Sequence, residues 1–244
     1  TQIQWLAAHP ASDFLIENGE TVLPEASDYL NENLIAESTA RGFRLNLYRY
    51  ALEFRRQWQH NINLVDRLTA KNDFDLLIGD ETYDLVTAFN KLPQLKRSPF
   101  VMIYDFVGFD AMTRNPLELM GIYMMNRMWA SGFPDRPPVY DLGLFVGEPE
   151  DVPDRRFGLM LPNRREFAQA RYKFVGYILP FKPNDYSDKA KIRARLGYGK
   201  EKLIICAVGG TSIGRELLEL CGKSFSIIRE RIPDARMVLI TGPR

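Results

Sequence analysis

Two patterns of apolar and polar positions alternate along the chain. Short apolar runs predict strands, and longer stretches with helical spacing of apolar residues predict helices. The runs with the length and composition of buried strands are 74–79, 100–104, 142–146, 203–208 and 237–240. The stretches with helical spacing of apolar residues are about 43–70, 83–91, 117–129, 188–196 and 215–231. Because strands that alternate with helices form βαβ units, the pattern predicts an α/β fold with doubly wound parallel sheets.

Both ends of the sequence carry strand-like runs. The run Ile3–Leu6 is typical of a strand inside a domain rather than of a leader. The run 237–240 stops just before Arg244, without the flanking strands and helices that cover a parallel sheet. The sequence therefore predicts a fragment of a longer protein, cut at both ends.

The composition is that of a water-soluble globular protein. Of 244 residues, 45% are hydrophobic and 26% are charged, and the formal net charge is +1. No apolar run approaches the roughly 20 residues that span a bilayer, and the charge balance gives no general attraction to nucleic acid. Cys206 and Cys221 are too few for a disulfide framework. These features predict a protein of the reducing cytoplasm with no nucleic-acid partner.

A hinge is predicted where the strand–helix pattern pauses. The stretch Pro180–Asn184 is polar and bracketed by prolines, and the pattern restarts at Leu203. We therefore expect two Rossmann-like domains, at 1–181 and 189–244, joined by a hinge at 182–188. The second domain is represented by its opening βαβ unit only.

A glycine-rich segment, Gly209–Gly214, lies between a predicted strand and a predicted helix. Glycines allow a ligand to approach the backbone, and the free N–H groups at a helix start attract anions, above all phosphate. The alternative is a tight turn whose Thr211 or Ser212 caps the helix without a ligand. A P-loop is disfavoured because Gly214 is followed by Arg215 instead of lysine. A dinucleotide fingerprint is disfavoured because Thr211 stands where the second glycine belongs.

The segments Val208–Gly214 and Phe174–Pro180 together resemble the interdomain region of GT-B glycosyltransferases. The order of elements in residues 1–181 is also similar to the acceptor-side domain of that fold. In particular, the chain resembles the family-28-like enzymes that add N-acetylglucosamine to the lipid-linked peptidoglycan precursor. The resemblance covers most of the chain in architecture, but its specific motifs are short. The sequence lacks the family's N-terminal glycine-rich turn with a histidine and its later nucleotide-sugar signature.

The resemblance implies a nucleotide-sugar donor, a UDP-sugar, whose sugar is transferred to an acceptor hydroxyl. The residues that it places near the donor diphosphate are Gly209, Gly210, Thr211, Ser212, Gly214, Gly242 and Arg244. Backbone amides and a helix N-terminus can stabilise the leaving diphosphate. No metal and no further cofactor are therefore expected.

Three carboxylates follow the ends of predicted strands in the first domain: Asp80, Glu81 and Asp105. Binding groups collect at the carboxyl ends of parallel strands. A carboxylate there can accept a hydrogen bond from a sugar hydroxyl or remove the acceptor proton as a base. We assign Asp80 and Glu81 to acceptor binding and Asp105 to catalysis. The alternative for each is a helix N-cap or an Asx turn.

The predicted function is metal-independent glycosyl transfer, and two alternatives remain open. One is a sugar-nucleotide epimerase or hydrolase on the same scaffold, and the other is a non-catalytic nucleotide-sugar-binding subunit. The sequence does not specify the acceptor. If the acceptor is carried on a lipid, the basic face of the 43–70 helix would contact the inner surface of the membrane. A basic face in water is the more common use of such a helix.

Overall fold

The structure is a computed structural model that describes residues 1–31, 34, 38–41, 44–45, 47–208 and 215–241, with the backbone alone at 40–41, 44–45 and 47–52. The chain divides into two compact units. One contains residues 66–180, and the other contains residues 1–65 together with 181–244. The domain boundaries expected from the sequence stay a prediction.

The described elements follow one another as the α/β pattern requires. The helices are α1 (Ala11–Glu17), α2 (Leu47–Lys71), α3 (Tyr83–Lys91), α4 (Pro116–Trp129), α5 (Arg164–Arg171), α6 (Lys189–Arg195) and α7 (Arg215–Arg231). The strands are β1 (Ala40–Arg41), β2 (Arg44–Leu45), β3 (Leu77–Asp80), β4 (Phe100–Tyr104), β5 (Leu142–Phe145), β6 (Tyr172–Phe174), β7 (Leu203–Ala207) and β8 (Arg236–Ile240). Helices α3 and α7 and strand β4 have the predicted bounds, and most of the other predicted elements differ by a few residues at their ends.

The unit of residues 66–180 is built on a four-stranded sheet. Its strand order is β3-β4-β5-β6, and every neighbouring pair is parallel. Strands β7 and β8 form a separate parallel pair in the other unit. Parallel pairing with helical crossovers confirms the α/β class that the sequence pattern predicts.

The core of the four-stranded sheet lies on one of its faces. Phe100 and Met102 on β4 are completely buried, and Phe145 on β5 is nearly so. On the opposite face, Ile78 of β3 is 57% exposed and Leu142 of β5 is 42% exposed. The prediction that β3 is a buried strand is therefore wrong, because only alternate residues of this edge strand reach the core.

Strands β7 and β8 also bury less than their apolar sequences predict. Ile205 is 62% exposed, and Ile240 is 48% exposed. Helix α7 packs on the pair, with Gly222 beside Leu239. Only one face of the pair is covered in this way, so the expectation of two buried strands is wrong for the described residues.

The expected strand at Ile3–Leu6 is also wrong. Trp5 makes a single bridge with Val22, and Ile3 is 56% exposed. The structure adds elements that the pattern did not indicate, namely α1, the antiparallel strands β1 and β2, α5 and β6. Helix α5 begins after Asn163, whose side chain accepts hydrogen bonds from the first free N–H groups of the helix.

The glycine at the third position of β3 gives a stability prediction. A Cβ at Gly79 would lie 2.0 Å from Thr82 Oγ1 and 3.0 Å from a ring carbon of the buried Phe100. We expect Gly79→Ala to lower the free energy of unfolding by about 1–3 kcal/mol, because a packed neighbour must move. Urea unfolding of the purified variant measures this change.

Gly121 in α4 is the matched control. A Cβ at this position meets no atom within 4 Å, and Gly121 is inside a helix. Gly121→Ala is therefore expected to raise stability by about 0.5–1 kcal/mol. A Gly79→Ala variant as stable as the native protein would contradict the packing described here.

Candidate functional site

The three carboxylates singled out by the sequence lie at one edge of the four-stranded sheet. Asp80 is the last residue of β3, Glu81 follows it, and Asp105 follows β4. Strands β3 and β4 are neighbours in the sheet, and the Glu81 N–H donates to the carbonyl of Ile103 over 3.1 Å. The structure therefore brings all three to the carboxyl ends of adjacent parallel strands, where ligands collect in this class of fold.

None of these carboxylates is the N-cap of a helix. The N-cap of α3 is Thr82, and the N-cap of α4 is Asn115, whose side chain accepts from the Leu117 N–H over 3.0 Å. The N-cap alternative is therefore wrong for Asp80, Glu81 and Asp105.

Glu81 and Asp105 form a carboxyl pair. They follow adjacent parallel strands, and Asp105 acts on the Glu81 carboxyl group. Burial, followed by the hydrogen bond and charge of Asp105, raises the pKa of the Glu81 carboxyl to about 8. Loss of solvation and the charge of Asp105 also raise the pKa of Asp80. A half-buried carboxyl group whose pKa is raised to about 8, beside a second carboxyl group, is an arrangement suited to acid–base chemistry.

The chain turns sharply at Glu81. Its φ angle is +51°, in the left-handed region that residues other than glycine seldom adopt. Two hydrogen bonds from Tyr83 hold this turn: its N–H donates to the Glu81 carbonyl over 2.8 Å, and its hydroxyl donates to Glu81 Oε1 over 3.0 Å. An unfavourable backbone conformation at an acidic residue is typical of a functional site.

Aromatic side chains form a wall beside the carboxyl pair. The ring of Tyr83 lies 5.3 Å from that of Trp129, and it also contacts the rings of Tyr104 and Phe106. Trp129 Nε1 donates to the hydroxyl of Tyr172 over 3.2 Å. These rings reduce the access of water to Glu81, which is the main reason for its raised pKa.

The loop that follows Asp105 is held by buried polar side chains. Asn126, on α4 and 1% exposed, accepts from the Phe109 N–H and donates to the Phe109 carbonyl. Arg164, at the start of α5 and 3% exposed, pairs with Asp110 over 3.0 Å. Gly108 has a φ angle of +74°, and a Cβ there would lie 2.8 Å from the ring of Phe157. These contacts hold residues 108–110, which follow Asp105 by three to five positions.

Sequence reasoning missed several residues of this site. The missed residues are Tyr83, Asp110, Asn126, Trp129 and Arg164. A signal existed for Tyr83 alone, which is two residues after Glu81 at the start of a predicted helix. The others come from α4 and α5, and only the tertiary structure shows what they contact.

The structure does not describe the residues that the sequence places near the donor diphosphate. Gly209, Gly210, Thr211, Ser212, Gly214, Gly242 and Arg244 lie outside the described residues. The flanking elements are described: α7 begins at Arg215, as predicted, and β7 ends at Ala207, one residue before the predicted end.

Comparison with known proteins adds no family to this geometry. No protein-family model matches the chain, and no curated protein matches it significantly. Among the described residues, no group of three or more His, Cys, Asp and Glu side chains is arranged to hold a metal ion. None of the described helices is long and apolar enough to cross a membrane.

The raised pKa of Glu81 gives a prediction for stability against pH. A carboxyl whose pKa rises from 4.5 to about 8 on folding binds its proton more tightly in the folded state. Its contribution to stability is therefore present below pH 4.5 and is lost as the pH rises to about 8. Glutamine at position 81 binds no proton, so the Glu81→Gln variant does not lose this contribution. Between pH 4.5 and about 8, its free energy of unfolding should therefore rise relative to that of the native protein, by at most about 1.4 kcal/mol per pH unit.

Urea unfolding at several pH values between 5 and 8.5 measures this difference. Asp84 is buried on α3, and burial raises its pKa to about 6, but its effect is common to both proteins and cancels. If the difference in the free energy of unfolding between the native protein and Glu81→Gln stays constant over this pH range, Glu81 has no raised pKa.

Proposed function

We propose that the protein is a glycosyltransferase that moves a sugar from a nucleotide sugar to an acceptor hydroxyl. The observation that carries this proposal is the Glu81–Asp105 carboxyl pair at the carboxyl edge of a parallel sheet. Within the proposal, Asp105 is the base and Asp80 and Glu81 bind the acceptor. In the proposed reaction the Asp105 carboxylate accepts the proton of the acceptor hydroxyl.

Donor binding is assigned to the segment 209–214 and to the residues that follow β8. The proposal is supported by the order of elements, since a strand ends at Ala207 and a helix begins at Arg215 on either side of the glycines. A diphosphate at such a position is stabilised by backbone N–H groups and the positive end of the helix dipole. A UDP-sugar is the proposed donor because the resemblance to GT-B enzymes implies it.

Titration calorimetry of the intact protein with UDP and UDP-N-acetylglucosamine, in the presence of EDTA, tests the donor part of the proposal. We expect dissociation constants between about 1 μM and 1 mM, the usual range for enzyme substrates. Absence of binding by both compounds would contradict it. A non-catalytic nucleotide-sugar-binding subunit, the second alternative that the sequence leaves open, would bind the donor without releasing UDP.

A further inference from the structure

Helix α4 carries an apolar surface that the described part of the chain does not cover. Its sequence contains two leucines and four methionines, yet only Asn126 of the helix is buried. Asn126 faces the loop at Phe109, to which it is hydrogen-bonded. On the opposite side of the helix lie four apolar residues that are spaced three or four apart, and all of them are exposed: Leu117, Met120, Met124 and Met128.

A loop beside α4 extends this apolar surface. The hydroxyl of Tyr123 donates to the carbonyl of Leu159 over 3.3 Å, and a Cβ at Gly158 would lie 2.9 Å from the ring of Tyr123. In this loop, Leu159 is 81% exposed and Met160 is 87% exposed. Helix and loop together form a surface that we call the methionine face, which consists of Leu117, Met120, Met124, Met128, Leu159 and Met160.

The methionine face is larger than the apolar patches that single protein molecules usually expose to water. Five of its six residues are more than 60% exposed, and the sixth, Met124, is 48% exposed. At these exposures the face presents on the order of 800 Å² of surface, which is the area that each partner buries in a standard protein interface. The largest apolar patch on a typical monomer is roughly 300–600 Å². The size of the face therefore indicates an interaction surface.

The composition of this surface is that of a protein interface. Methionine and arginine are enriched in protein interfaces, and lysine is depleted. Arg127 lies next to Met124 on the exposed side of α4, and the sequence has no lysine between Lys96 and Lys173. A helix on a membrane surface combines its apolar face with a polar face rich in lysine and arginine. In α4 the face opposite the methionines packs on the protein through Asn126, which favours a protein partner over a membrane.

We propose that the methionine face binds the same face of a second copy of this chain in a symmetric dimer. The area of the face is sufficient for such a dimer, and flexible methionine side chains can adapt to one another in a self-contact. A two-fold axis places the two α4 helices antiparallel. Met120 and Met124, in the middle of the helix, then contact the methionines of the second copy, and Leu117 contacts Met128 of the second copy. This inference does not depend on the proposed glycosyl transfer.

Sedimentation velocity of the purified chain at about 1–100 μM tests the dimer. We expect a dimer with a dissociation constant at or below about 10 μM. Met124→Glu introduces an unpaired charge on each side of the contact and should weaken dimerisation by at least about tenfold. Ile227→Glu is the matched control, because Ile227 is a 60% exposed apolar residue on α7, outside the methionine face. This control should dimerise as the native chain does.

Cross-linking tests whether the copies associate through α4. In an antiparallel pair of α4 helices, position 124 of one copy lies close to position 124 of the other. A short bismaleimide should therefore link Met124→Cys into covalent dimers in much higher yield than the native chain, whose own thiols are Cys206 and Cys221.

A native chain that stays monomeric at 100 μM would overturn the inference. If that monomer also sediments with phosphatidylglycerol vesicles and Met124→Glu does not, the face binds a membrane instead. A dimer that Met124→Glu leaves unchanged would place the interface elsewhere and would equally overturn the proposal. If Met124→Glu does not fold, the cross-linking decides, because a yield in Met124→Cys no higher than in the native chain contradicts the contact through α4.

Discussion

Replacement of Asp105 by asparagine is expected to lower the turnover of nucleotide sugar by about 10²–10⁴-fold, with donor affinity nearly unchanged. Asparagine keeps the shape of the side chain but cannot accept the acceptor proton. The loop that carries position 105 is fixed by Asn126 and Arg164, so the substitution should not displace it. Steady-state kinetics with a UDP-release assay measure turnover, and calorimetry measures donor affinity.

Asp151→Asn serves as the control for this substitution. Asp151 follows β5 at the same edge of the sheet, where its carboxylate accepts from the Glu148 N–H and from Tyr177. Its variant should keep native turnover. Near-native turnover of Asp105→Asn would instead show that Asp105 is not the base. Asp80→Asn and Glu81→Gln, assayed alongside, show whether these two carboxylates share the role.

Replacement of Gly210 by valine is expected to weaken UDP-sugar binding by at least about tenfold without unfolding the protein. The branched side chain would prevent the close backbone approach that the proposed diphosphate contact requires. Because the substitution acts on binding, it should affect the Michaelis constant for the donor more than turnover at saturating donor.

Gly121→Val is the matched control for Gly210→Val. The same side chain is introduced at an exposed helical glycine with open space around its Cβ position. Titration calorimetry should show native affinity for the control. An unchanged affinity in Gly210→Val would remove the donor site from this segment.

Strand and helix positions could largely be predicted from the sequence because the apolar periods are strong. The run Phe100–Tyr104 is five apolar residues between Pro99 and Asp105, and it is β4 in the structure. Helix α5 was not predicted, since only Phe167 and Ala168 among its apolar residues reach the core. Its one local signal is the capping side chain of Asn163.

Burial was predicted less well than strand position. Hydrophobic strands such as β3 and β7 were expected to be covered on both faces, but Ile78 and Ile205 are exposed. An apolar run shows that a strand can be buried, whereas the neighbouring elements decide which of its faces is covered.

The candidate site could be predicted in part. The rule that ligand groups follow parallel strands selected Asp80, Glu81 and Asp105. The rule did not predict the raised pKa of Glu81, because that depends on burial and on the adjacent pairing of β3 and β4, which brings Asp105 close. The support from Tyr83 and Trp129 depends on how α3 and α4 pack beside the sheet.

The central claim is tested most directly by measuring UDP release. The intact protein is incubated with UDP-N-acetylglucosamine and other UDP-sugars in EDTA, with and without a panel of sugar and lipid-linked acceptors, and compared with Asp105→Asn. The account predicts UDP release that increases with an acceptor, persists in EDTA and is lost in the variant. Release that is equal in the native protein and Asp105→Asn, or no release with any donor, would contradict it.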